Sequence, residues 1–90
     1  MSSMVGADIA AVRWFASSLL RRRQEIEITR QRLAATIEAL PWRGADHDRF
    51  VEQWQRVHNP GLIALIGELS DDARLATKSA DRQEQASRSW

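Results

Sequence analysis

Between Asp8 and Leu40 the chain has neither glycine nor proline, and Pro41 then stops whatever that run becomes. Ala, Leu, Arg, Gln and Glu dominate the run, and all are good helix formers. Asp8 can cap its start by accepting bonds from the first free amides. At 1.5 Å per residue, a helix over about 8–40 is about 48 Å long. A rod of that length cannot wrap into a small globule. Ninety residues allow one domain, so the rest of the chain has to lie along the rod.

The apolar pattern supports this. Val12, Leu19, Ile26, Leu33 and Leu40 recur every seven residues, beside a second row of Ile9, Ala16, Arg23, Arg30 and Ile37. Together they follow the 3-4 spacing of a heptad seam. Pro41 pushes its predecessor out of the α region, and Gly44 permits backbone angles that other residues resist. A turn is expected over 41–45. Asp46 or a neighbour then caps a second helix over about 46–86, with Phe50, Trp54, Leu62, Ile66, Leu69, Ala73, Ala76 and Ala80 on its apolar face. Asn59-Pro60-Gly61 interrupts it. The stripe resumes on both sides, which favours a kink near 59–61 over a break that would give a compact three-helix monomer. Residues 87–90 read as a flexible tail.

The two halves carry opposite charge. Residues 1–45 hold seven Arg against four acidic groups, and residues 46–90 hold six basic against eight acidic. That suits antiparallel arms facing each other and argues against a nucleic-acid binder. Arg21-Arg22-Arg23 does not change this, because three consecutive residues spread around a helix. No apolar run is long enough to span a bilayer, so stable membrane insertion is not expected. Residues 1–8 lack the basic and then apolar pattern of a signal peptide. Export, if it occurs, must use a route that does not read one.

Chemistry is sparsely supplied. With no cysteine there is no disulfide, thiolate metal site or cysteine nucleophile. His47 and His58 would sit about 16 Å apart on a helix, too far to share a metal. No serine has an evident base and no glycine-rich phosphate loop exists. No catalytic residue, metal or cofactor is expected.

Two helices alone bury one narrow seam. Trp14, Phe15, Leu20 and Ile28 on the first helix, and Val51, Val57, Ile63 and Leu65 on the second, lie outside the main rows. Burying even four such side chains contributes roughly 6–12 kcal/mol. The expected fold is therefore an all-α antiparallel helical hairpin that pairs with a second hairpin into a four-helix bundle dimer. Its core and dimer seam would comprise Val12, Leu19, Ile26, Leu33, Leu40, Phe50, Trp54, Leu62, Ile66 and Leu69.

Trp42-Arg43-Gly44 lies at the bend between the helices. With Leu40, Phe50, Trp54, Pro60, Leu62, Leu69, Ala80, Gln83 and Ser87, it resembles the WXG family of small early-secreted-antigen-like substrates of type VII secretion systems, over about residues 6–87. The resemblance implies a protein made and dimerised in the cytoplasm, then exported without a cleavable signal peptide, with a homologous hairpin and the secretion ATPase as partners. Trp42 and Gly44 form the turn motif, as a staple of the bend, a recognition feature, or both. If its ring is mostly buried, Trp42→Ala would cost about 2–4 kcal/mol. In that family, one member of a pair carries a Tyr four residues before Asp or Glu after the second helix. This chain has no tyrosine. That favours a heterodimer with a motif-bearing companion over a homodimer. Arg23 and Arg30 on the seam are candidate partner-selecting charges. The alternative is a cytosolic adaptor or chaperone-like module that masks the N-terminal helices of a secreted toxin.

Overall fold

The computed structural model describes residues 2–88 and, within them, every side chain but those of residues 2–5 and 7. The described residues form no strand. Helix α1 runs Ser2–Ala39, α2 runs Ala45–Gln53, a π turn spans Trp54–His58, and α3 runs Asn59–Arg88. The last three make one continuous arm, since Trp54 and Asn59 both keep right-handed helical angles. Arg13 reaches Asp81 at the open end and Arg30 reaches Asn59 toward the bend, so the arms pack antiparallel. The molecule measures 68 × 17 × 13 Å with a radius of gyration of 20.0 Å. A compact chain of this length would have about 12 Å. This is a hairpin, not a folded-up three-helix globule.

Several expected boundaries shift. Asp8 is not a cap, because α1 begins six residues earlier at Ser2. It ends at Ala39, one residue before the pre-proline position. The Leu40 amide still donates to the Thr36 carbonyl at 3.1 Å, and Pro41 stops the helix there. The second arm is capped at Gly44, not Asp46, and no side chain bonds the cap. Asp46 and Asp48 sit in the first turn instead, where their charge favours the helix N-terminus. The arm continues through Ser87 and Arg88, so the tail expectation fails for those two. The rest of that expectation, including Trp90, lies outside the described residues.

The disturbance expected at residues 59–61 is moved upstream. Pro60 has no amide to donate, and its ring crowds the carbonyl four residues back. The wider π turn precedes it, and in it the Asn59 amide donates to the Trp54 carbonyl, five residues back. This turn also corrects the helical phase. α3 buries Ile66, Ala73 and Ala80 at seven-residue intervals. Extended backward, that row passes through Asn59 and then Glu52. The extra residue in the π turn leaves Glu52 exposed and instead buries Trp54, with Val51 and His47 half-buried.

The core is thin. Its buried residues are Ala16, Trp54, Ile66, Ala73 and Ala80. Val12, Leu19, Ile26, Leu62 and Leu69 are half-buried. Leu33, Leu40 and Phe50, expected on the seam, are exposed to 40–46%. They lie on the outer flank of the inter-arm seam and not within it.

Candidate functional site

The bend comes first. Gly44 adopts φ 113°, ψ −174°, a region open in practice only to glycine. Its carbonyl accepts the Asp48 amide at 3.0 Å, which closes the first turn of α2. That turn brings His47 and Phe50 under the Trp42 ring, at centroid distances of 5.4 and 5.8 Å. The His47 contact is edge-on, a favoured aromatic geometry. Trp42 nevertheless stays 39% exposed. The buried tryptophan is Trp54, past the end of α2.

A groove of about 660 Å³ opens beside the bend, with Leu33, Leu40, Trp42, Phe50, Val57 and Leu62 among its walls. Its lining is almost wholly apolar, with Thr36 and His58 the polar contributors. A smaller depression joins Ile26, Thr29 and Leu33 to Leu62 on the same side. Another, toward the open end, lies on α1 alone, where Phe15, Leu19 and Arg22 line it together with Trp14, Ser18 and Arg21. These follow one 4-3 series on α1: Phe15, Leu19, Arg22, Ile26, Thr29, Leu33, Thr36, Leu40. A matching series on the second arm runs His58, Leu62, Leu65, Leu69, Asp72, Ala76, Ser79. Such spacing keeps residues on one face. The hairpin therefore carries a mostly apolar face from the bend to about its middle, where Arg22 and Asp72 interrupt it.

The polar links between arms lie on the other side. Arg13 bonds Asp81 at 2.9 Å and also Glu84. Arg23 donates to the Ser70 hydroxyl. Arg30 pairs with Glu27 at 2.6 Å and donates to the Asn59 side-chain oxygen at 3.0 Å. Arg23 and Arg30, the candidate partner-selecting charges, are thus engaged within the chain. Long side chains at seam positions can reach polar partners on their own hairpin, so no foreign carboxylate is required.

Glu27 gains from this arrangement. The hydrogen bond from Arg30 holds its carboxyl down at about 2, with Gln31 adding a second donor, against the opposing effect of partial burial. A carboxylate depressed in the folded state stabilises above its unfolded value of about 4.3. That stabilisation is lost as pH falls from there toward 2. Urea unfolding between pH 5 and 2 should therefore show a falling midpoint, and Glu27→Gln should flatten the part of that fall due to this residue. An unchanged pH slope in the variant would refute the assignment.

Sequence reasoning weighed Arg22 only as part of the Arg21–Arg23 run and Asp72 only as a counter-charge to Arg23 and Arg30, and set neither on this face, because it followed the rows through Val12 and Ile9. The series from Phe15 through Arg22 was present in the spacing. Several exposed apolar residues belong to no shared face, since helical spacing turns Leu20, Ile28, Ile63 and Leu75 elsewhere. His58 faces the groove, while His47 lines a depression on the opposite side of the bend. Among the described residues, no group of three or more His, Asp or Glu side chains is placed to hold a metal ion. None of the described helices is long and apolar enough to cross a membrane. No protein-family model matches the chain, and neither a curated protein nor a solved structure matches it at a significant level.

Proposed function

We propose that this chain is a non-enzymatic pairing module of the WXG type, a type VII secretion substrate or the co-secreted partner of one. The observation that carries the reading is an apolar face on a hairpin that has almost no core of its own. A second hairpin laid on that face completes a four-helix bundle and removes an adhesive surface from water. The secretion part of the reading draws support from Trp42 and Gly44 at the bend, where Gly44 holds a backbone conformation that suits glycine and Trp42 remains accessible.

The test is export. The tagged chain, expressed with its companion genes in a host with an active type VII system, should appear in the culture supernatant. It should stay in the cell when the secretion ATPase is deleted. Trp42→Ala should reduce export more than it reduces cellular level if the ring is read by the machinery. The second reading is a cytosolic adaptor that masks a toxin's N-terminal helices, which needs the same hairpin but no export. Retention in the cell of the intact host, with the chain bound to a toxin, would replace the secretion reading with that one.

A further inference from the structure

We propose that Trp42 is a gate between the two sides of the bend. Covering the apolar groove draws its indole toward the groove and away from His47, so the opposite surface registers whether the groove is occupied. The proposal rests on reading the apolar face as one that a partner covers, and adds how that event becomes visible elsewhere on the chain.

Two depressions lie back to back at the bend. The apolar groove has a volume of about 660 Å³, and the depression on the opposite side about 640 Å³. Ile37, Leu40, Trp42 and Trp54 line both. The two spaces are therefore divided by a wall one side chain thick. The far side differs in character, with Glu38, Arg43, His47 and Gln55 in its lining.

Three members of the wall are held in place. Trp54 is 9% exposed, Ile37 is half-buried on α1, and the Leu40 amide still donates to the Thr36 carbonyl. Trp42 belongs to no helix, follows Pro41 and is 39% exposed. Its ring straddles the divide. Of the two spaces, Phe50 lines only the groove and His47 only the far depression, yet the indole touches both, at 5.8 and 5.4 Å. Ring contacts of this kind are small attractions that a larger gain on one side can outweigh.

Covering the groove supplies that gain. It removes water from a space whose lining is almost wholly apolar. An indole that moves into it buries surface left exposed before. It also fills volume in which the lining would otherwise lack contact atoms. The polar far side offers no matching gain. The open and covered states thus differ in the contacts of one side chain, which is what coupling between two sites requires. Phe50 keeps the indole as a neighbour, and His47 loses it.

Benzene tests this on the full chain, because it is uncharged and enters apolar spaces in proteins. The chain has two histidines, one on each side of the wall. At a fixed pH above the histidine range, their ring-proton NMR signals report the two sides separately. His58, on the groove wall, should shift as benzene is added. His47 should shift over the same benzene concentrations, toward the position of a histidine free of ring current. Trp42→Ala should abolish the His47 response and keep that of His58, and Trp42→Leu, which leaves the wall filled, should do the same. A moving His58 with an unmoved His47 overturns the gate and leaves the pairing reading standing. A His47 response that survives both substitutions removes Trp42 from the coupling and overturns the proposal. An unmoved His58 overturns both, since a groove that takes no apolar guest is not the adhesive surface on which that reading rests.

Discussion

Trp54→Ala should lower the unfolding free energy by about 3–5 kcal/mol, as for other buried aromatic truncations. Trp54 is 9% exposed and opens the π turn. Trp42→Ala should cost only about 0.5–1.5 kcal/mol in the same assay, the worth of its ring contacts with His47 and Phe50. The measurement is urea denaturation followed by circular dichroism. Protein concentration must be fixed, because association shifts apparent stability. The contrast is the point of the experiment. The motif tryptophan is the more exposed of the two, and the one outside the tripeptide holds the arms together. Equal losses would mean that Trp42 is the staple after all.

Gly44→Val should destabilise by about 1–3 kcal/mol, the cost of forcing a residue with a side chain into a glycine-only backbone region. The effect is purely conformational, since a side-chain carbon at Gly44 would meet no atom within 4 Å. Gly67→Ala provides the opposite sign. That glycine is inside α3 with equally open surroundings, and alanine there should stabilise by about 0.5–1 kcal/mol. If Gly44→Val proves neutral, the bend is tolerating another path, and the glycine is kept for something other than its angles.

Much of this hairpin was legible from residue order. The unbroken run to Leu40, the stop at Pro41 and the need for glycine at 44 all follow from local backbone chemistry, and each reappears in the structure. The surplus of apolar residues beyond one seam was also legible, and Phe15, Val57, Ile63 and Leu65 are exposed as that surplus requires. Other features were decided by packing. Pro60 announces a disturbance, but which turn absorbs it depends on Trp54 being worth burying and Glu52 not. Arg23 and Arg30 fall on the seam by spacing, yet spacing cannot say how far a guanidinium reaches. Only the positions of Ser70, Asn59 and Glu27 reveal that both are satisfied at home. The start of α1 escaped because residues 2–7 carry no apolar period.

The buried residues of this hairpin change in kind along its length. Toward the bend they are Trp54 and Ile66, and toward the open end Ala16, Ala73 and Ala80. An alanine methyl removes little area from water. The open end depends instead on Arg13 with Asp81 and Glu84, partly exposed groups whose attraction salt weakens. The free energy of local opening must therefore fall from the bend outward. The arms can fray and re-zip at their ends while Trp54 keeps the bend intact. A hairpin built this way has one end already shaped and the other still able to adjust.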